Sequence, residues 1–209
     1  MTVTDPGVKL LITGASGLLG NNLACYFRDK YDILGLYNNH PVTIKGIQTE
    51  CCDISNSDSI QKVFREFDPS IIIHCASSTK VDECEKNKDS TKKNNVQATK
   101  NLIESIDNKN TKLIYISTDS VYDGGKGNFS EVDNANPLNY YGQTKFEGEL
   151  EAAKKDNSLI FRTNIFGWNV QDKKSLGEWI LGELESGRNI PGFRDAYFSP
   201  IYTCLLYTS

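Results

Sequence analysis

The chain has 209 residues, 38% of them hydrophobic and 24% charged, with a formal net charge of −4. That length allows one large domain, or one and a half, around a buried core. The acidic balance excludes a basic field for nucleic acid, and no apolar run approaches the length that crosses a bilayer. The six cysteines contain no C-x-x-C pair and do not cluster with His40 or His74, so no metal site is expected. Residues 1–7 do not read as a signal peptide, and unpaired cysteines suit a reducing, cytoplasmic setting.

In chain order, strand and helix signals alternate. Val8 to Thr13 is an apolar, β-branched run ending at Gly14, and Leu19, Leu23 and Phe27 then recur at helical spacing. Asp32 to Tyr37 reads as a second strand and Ile47 to Cys52 as a weaker third. Ser55 is placed as an N-cap, with Ile60, Val63, Phe64 and Phe67 forming the apolar stripe of a helix that Pro69 stops. Ile71 to Cys75 is nearly continuous apolar sequence, as in a strand covered on both faces. A long helix is expected from Asp82 to Asp107, with Thr99, Leu102, Ile103 and Ile106 inward. Leu113 to Ser117 is another buried strand. Tyr140 to Lys155 reads as a helix with Phe146, Leu150 and Ala153 inward, and Leu159 to Arg162 as a strand. Such β-α repetition implies an α/β fold, a doubly wound parallel sheet of the Rossmann type over residues 1–165. Beyond Phe166 the pattern loosens. Ser175 to Ser186 suits one helix, and Pro191-Gly192 and Ser199-Pro200 read as turns.

Between the first strand and first helix stands T-G-A-S-G-L-L-G, Thr13 to Gly20. Gly14 permits a tight turn, Gly17 lets backbone approach a pyrophosphate, and Gly20 lets helix pack on strand. The free N–H groups of Ser16, Leu18 and Leu19 and the positive end of the helix suit phosphate. The expected ligand is NADPH or NADH. Tyr37-Asn38-Asn39-His40 offers Asn38 but neither an acid for a ribose hydroxyl nor an Arg for a 2′-phosphate, which tilts slightly toward NADP. Asp53 and Ile54, after the third strand, suit the adenine edge; Asp53 is nearly as readily a plain strand-end Asp. Ala76 and Ser77 lie at the carboxyl end of the fourth strand, where small residues admit a ligand.

Tyr-x-x-x-Lys occurs three times in this tyrosine-rich chain, at Tyr26/Lys30, Tyr122/Lys126 and Tyr141/Lys145. Only the last has a strand-borne hydroxyl before it, Thr118, and a helical pattern after it. Residues four apart share a helix face, so Tyr141 and Lys145 address one pocket. A nearby ammonium, like an oxidised nicotinamide, favours phenolate, so Tyr141 is expected to titrate below the usual tyrosine range. Tyr141 would then pass a proton to a carbonyl oxygen, Thr118 would hold the same oxygen, and Lys145 would also bind the nicotinamide ribose. Asp119 and Arg162 are candidate substrate contacts; Arg162 is equally a buried ion-pair partner. Asn95 is a candidate cofactor-side residue, as a helix-kinking or water-holding amide, and equally a solvated one.

Together these residues resemble the extended short-chain dehydrogenase/reductases, and one branch in particular, the dTDP-4-dehydrorhamnose reductases. Ile116 to Gly124, I-S-T-D-S-V-Y-D-G, is similar to that family's S-T-D-x-V-F/Y-D-G. Pro137 to Glu149 resembles P-x-x-x-Y-G-x-T-K-x-x-G-E, and Val81 to Glu85 resembles V-D-x-x-E. The resemblance implies reduction of the C4 ketone of a dTDP-4-keto-6-deoxy sugar, giving dTDP-L-rhamnose, with Thr118, Tyr141 and Lys145 as the reacting set. It implies a nucleotide-sugar substrate, and a homodimer is carried as an open expectation. Family members are longer, so residues 166–203 are read as the beginning of a truncated, smaller substrate-binding region. Phe198 to Thr203 resembles the family's Pro/Thr substrate-side segment, and 204–209 read as a non-native tail. Two alternatives stay open: a sugar-nucleotide epimerase or dehydratase of the same superfamily, against which the S-T-D and V-D-x-x-E features speak, and a non-catalytic regulatory subunit resembling the methionine adenosyltransferase β subunit.

Overall fold

The computed structural model describes residues 7–192, 194–195 and 197–208; residues 1–6, within the stretch that does not read as a signal peptide, lie outside it. Six parallel strands form one sheet in the order β3-β2-β1-β4-β5-β6. They are β1 (Lys9–Thr13), β2 (Asp32–Tyr37), β3 (Gln48–Cys51), β4 (Ile71–His74), β5 (Lys112–Ser117) and β6 (Ser158–Arg162). The strand order reverses between β1 and β4, which opens a crevice at their carboxyl ends, the usual ligand position in such sheets.

Period-two alternation along β1 divides the core. Leu11 packs with Leu34, Ile60, Val63, Ile72, Leu102 and Tyr115 on one face. Leu10 and Ile12 pack with Leu19, Leu23, Ala24 and Ile73 on the other. Helices α1 (Leu18–Phe27) and α2 (Ser57–Phe67) follow β1 and β3. The N-cap of α2 is Asn56, whose side chain accepts from Ser59 N, rather than Ser55. Ser55 is unavailable for that role because its N–H and hydroxyl both donate to Asp53.

The long helix expected after β4 is broken into α3 (Val81–Lys86), α4 (Lys88–Lys92), a π-turn (Lys93–Gln97) and α5 (Ala98–Glu104). The break falls at Asn87, whose φ of −123° and ψ of 61° are not helical. Helix α6 (Tyr140–Ala152) buries Gly142, Thr144, Lys145, Gly148, Glu149 and Ala152. Leu150 is 54% exposed, and Ala153 is also exposed, so the expected inward face is wrong by about a third of a turn. Hydropathy misreads this helix because its inner face is made of glycines and buried ionisable groups. A Cβ at Gly148 would strike the Tyr115 hydroxyl, and one at Gly142 the Ser120 carbonyl.

After β6, β7 (Asn164–Phe166) pairs in parallel with β8 (Pro200–Tyr202), so the boundary placed at 165 falls inside β7. Pro200, read as a turn, opens β8; first place on a strand spares its missing N–H. Helix α7 (Leu176–Glu185) starts at Ser175 with a full capping box. Helix α8 (Thr203–Leu206) lies against α1, and the ring of Tyr207 stands 4.6 Å from that of Tyr26. No helix among the described residues is long and apolar enough to cross a membrane.

Candidate active site

The phosphate loop is built from backbone. Gly14 has a φ of +70°, and a Cβ there would lie 2.9 Å from Ala76 N. A Cβ at Gly20 would collide with the Gly14 carbonyl oxygen. Gly17 caps α1 without any side-chain hydrogen bond, and the first turn of α1 carries no acid. A glycine cradle ending in an uncapped helix start fits a dinucleotide pyrophosphate. Gln171 donates to the Ser16 carbonyl at 2.5 Å, and Asn22 to the Trp168 carbonyl at 3.1 Å, so the segment after β7 rests on this loop.

The remaining candidate cofactor residues ring the same end of the sheet. Asn38 is exposed just beyond β2. Asp53 follows β3, accepts from Ser55 and lies 3.9 Å from the Lys93 ammonium. Ile54 is 8% exposed, and the carbonyls of Ile54 and Ser55 are held by the Asn101 side chain. Ala76 N donates to Thr13 Oγ1, and Ser77 donates to Asn95.

Asn95 is buried, not solvated. It sits in the π-turn, accepts from Ser77 Oγ and Ser78 N, and donates to the Ser78 carbonyl and to Thr144 Oγ1. It therefore ties the loop after β4 to the face of α6 that bears the reacting residues. π-Turns inside helices recur at functional sites.

His74 extends this tie to the phosphate loop. Thr13 Oγ1 accepts from Ala76 N and lies 2.7 Å from His74 Nδ1. Thr99 donates to the Asn95 carbonyl, so it accepts from His74 Nε2 at 3.0 Å. The network thus assigns the neutral, Nε2-protonated tautomer. Burial, helped by the Lys145 charge, pushes the imidazole pKa down to about 3.

Capping aims the reacting residues. Asn139 accepts from Gly142 N at the start of α6, and Glu85 of the V-D-x-x-E segment accepts from Tyr140 N at 2.5 Å. Tyr141 is partly buried one residue on, and Lys145 is 3% exposed. Both point inward rather than to bulk water. Lys145 Nζ donates to the Ile116 carbonyl at 2.7 Å and lies 4.2 Å above the Tyr115 ring. Burial pulls its pKa down to about 7. Thr118, buried after β5, donates to Asp119 Oδ1 and accepts from Ser120 N.

The expected acidification of Tyr141 by Lys145 is reversed. Burial raises the phenol to about 12; Thr118 lowers it and the Asp119 carboxylate raises it further. Lys145 spends its ammonium on a carbonyl and a ring face, so desolvation wins at Tyr141. The two other Tyr-x-x-x-Lys pairs do not converge on this site. Lys30 lies over the Tyr26 ring at 4.1 Å, on the surface. The Tyr122 hydroxyl receives Arg162, while Lys126 pairs with Asp133.

Arg162, the last residue of β6, makes an ion pair with Glu149 at 2.7 Å. Asn164 donates to Asp119. Residue-by-residue reading missed Glu149, Ser117, Glu85, His74 and Asn101 as parts of this assembly. For Glu149 a signal existed: a carboxylate one turn beyond Lys145 on the same helix face.

A parallel sheet in this order, with a glycine cradle at the reversal and an inward Tyr–Lys helix face, defines a Rossmann-type short-chain dehydrogenase/reductase fold. The model of one family, the RmlD substrate binding domain, matches residues 8–206, and the chain belongs to that family. Among curated relatives, methionine adenosyltransferase 2 subunit beta of Danio rerio is 37% identical over 185 residues, covering 87% of this chain and 55% of the relative. The dTDP-4-dehydrorhamnose reductase of Aggregatibacter actinomycetemcomitans is 36% identical over 200 residues, covering 93% and 63%. The crystal structure of dTDP-4-dehydrorhamnose reductase from Bacillus anthracis in complex with NADP superposes with a TM-score of 0.82 at 30% identity, covering 95% of this chain and 67% of that one. The chain spans roughly half to two thirds of the length of the curated relatives it matches.

Proposed function

We propose that this protein reduces the C4 ketone of a dTDP-4-keto-6-deoxy sugar with NADPH or NADH, using Thr118, Tyr141 and Lys145. The carrying observation is the Tyr141–Lys145 face of α6, turned inward and tied through Asn95, His74 and Thr13 to the glycine cradle. The substrate class rests on the reductase relatives, and the dinucleotide on the cradle together with the NADP complex of one of them. The six free thiols suit a reducing cytoplasm.

When bound, the dinucleotide supplies the hydride that the ketone carbon receives. The chain's own task is the proton. A phenol titrating at about 12 stays protonated at neutral pH, so Tyr141 holds the proton that the sugar oxygen requires. Thr118 is the second donor; its hydroxyl leaves Asp119 to serve that oxygen and stabilises charge developing there. Lys145, titrating at about 7, presents a cation beside the reacting groups that is partly discharged at neutral pH. Gly14, Gly17 and the start of α1 hold phosphate, and Asp53 and Ile54 flank the adenine.

Two measurements test this reading. Nicotinamide fluorescence should report saturable binding of NADPH or NADH, and adding dTDP-4-keto-6-deoxy-L-mannose should then consume the reduced cofactor. No dinucleotide binding would sink the proposal. Binding without turnover would favour a second reading, a regulatory subunit on the same fold. The 37% identity to a methionine adenosyltransferase subunit supports that second reading, while the intact Thr118, Tyr141 and Lys145 support catalysis.

A further inference from the structure

Helix α6 buries a second ionisable group one turn past Lys145. Glu149 is 3% exposed. Its Oε1 accepts from Ser117 Oγ at 2.5 Å and from Arg162 Nε at 3.0 Å, and its Oε2 from Arg162 Nη2 at 2.7 Å. Arg162 Nη1 donates to the Tyr122 hydroxyl at 2.6 Å, which in turn donates to the Ser130 carbonyl. One carboxylate thus joins the end of β5, the end of β6 and the middle of α6. Ser117 directly precedes Thr118, and Glu149 lies one turn from Lys145, so the junction sits between the two carriers of the reacting side chains.

A buried ion pair is a poor way merely to hold three elements together, because well-packed apolar side chains do so at least as well. The charge itself therefore calls for a use, and Lys145 supplies one. The titratable groups acting on Lys145 are His74 on β4, Cys75 just after it, Tyr115 on β5 and Glu149 on its own helix, where Tyr141 stands one turn before it. His74 is neutral in its hydrogen-bond chain, and burial pushes the Cys75 thiol up to about 12. Burial likewise keeps both phenols protonated. Against burial, Cys75 and then Glu149 raise the Lys145 pKa, and of the two Glu149 is the carboxylate, ion-paired with Arg162 at 2.7 Å.

We propose that Glu149 is a positioning residue of the reaction centre. Through Ser117 and Arg162 it sets Thr118 against the Tyr141–Lys145 face, and its carboxylate, ion-paired with Arg162 and buried one turn past Lys145, sustains the buried ammonium. The importance of that ammonium rests on the reductase reading; the geometry stands apart from it.

The test is a ¹³C-lysine NMR titration of the whole chain without dinucleotide, with the Lys145 resonance assigned by its loss in Lys145→Met. Glu149→Gln should lower the Lys145 midpoint by about one pH unit or more. Arg162→Met frees the carboxylate for Lys145 and should raise it. Mere loosening of the fold would admit water and move both midpoints upward, so opposite signs carry the proposal. Shifts of the same sign, or no shift in Glu149→Gln, overturn it. Should Glu149→Gln fail to fold, the neutral double variant Glu149→Gln/Arg162→Met decides: a lowered midpoint supports the proposal, and an unchanged or raised one overturns it. A chain that binds no dinucleotide would end the reductase reading while leaving this titration to decide the role of Glu149.

Discussion

The phosphate loop and the reaction centre meet across residues 74–77, yet they are made of opposite materials. The loop is backbone and glycine: Gly14 takes a φ of +70° against Ala76, and Gly20 seats α1 on the Gly14 carbonyl. The reaction centre is buried side-chain chemistry: Lys145, Glu149, His74 and Thr118 are each at most 5% exposed, and each has a hydrogen-bond partner. Added atoms break the first, and lost partners break the second. Among the described residues no buried side-chain nitrogen or oxygen lacks a partner, so the second device has no slack.

Tyr141→Phe separates the two most sharply. Losing a positioned proton donor should cut turnover about 10³-fold. The loop is untouched, so dinucleotide affinity should stay within about threefold of the parent, a split that kcat and a binding titration would reveal. An equal loss in both would mean that Tyr141 serves binding rather than proton transfer.

His74 sets the next test, through acid. Its pKa falls from 6.5 in the open chain to about 3 in the fold. Between those values the unfolded chain binds more protons, so stability rises with pH across that window and is lost as pH falls through it. The effect is at most ~5 kcal/mol. Denaturant melts at pH 4 and pH 7 should show this slope, and His74→Asn should flatten it. A slope unchanged in the variant would place the acid sensitivity elsewhere.

The glycines test the comparison from the steric side. Gly20→Ala and Gly148→Ala each force a methyl into a filled site, the first against the Gly14 carbonyl and the second against the Tyr115 hydroxyl. Each should cost about 1–3 kcal/mol of stability. Their functional marks should differ: Gly20→Ala should weaken dinucleotide binding about tenfold or more, whereas Gly148→Ala should lower turnover and spare binding. If both weaken binding alike, the loop and the centre are one mechanical unit.

The same contrast explains what could be read from sequence. Backbone devices leave spacing behind them: the three glycines of the loop, the runs at β1 and β2, and Ser175 before α7 are all visible as patterns. Devices made of buried polar side chains defeat hydropathy. Leu150 and Ala153 looked inward because they are apolar, yet α6 turns Lys145 and Glu149 to the interior and leaves Leu150 in solvent. The helix from Asp82 to Asp107 reads as continuous because nothing in its composition marks the break at Asn87, whereas Asn95, one of whose readings is a helix-kinking amide, does lie in the π-turn. The direction of the Tyr141 shift was unreadable for a related reason. Four residues of separation give a shared face but not the Ile116 carbonyl that occupies the ammonium.

The smallest expected effect lies in α7, outside both devices. Ser175 caps this helix, accepting from Glu178 N, and donates to the Gly167 carbonyl at 2.6 Å. Glu178 in return accepts from Ser175 N and Asn169 N. Segment 167–171 is thereby pinned at one end to α7 and at the other to the Ser16 carbonyl through Gln171. Ser175→Ala should cost about 1 kcal/mol, felt locally because α7 buries no residue of its own. Amide exchange should quicken over 176–179 and leave β1 and β4 unchanged. Among the described residues, the hydrogen bonds that join segment 167–171 to the phosphate loop and the start of α1 run through Gln171 and Asn22, so dinucleotide affinity should fall less than about fivefold, below the loss expected for Gly20→Ala. A loss as large as that of Gly20→Ala would show that the loop is braced from outside, and is not held by its own backbone alone.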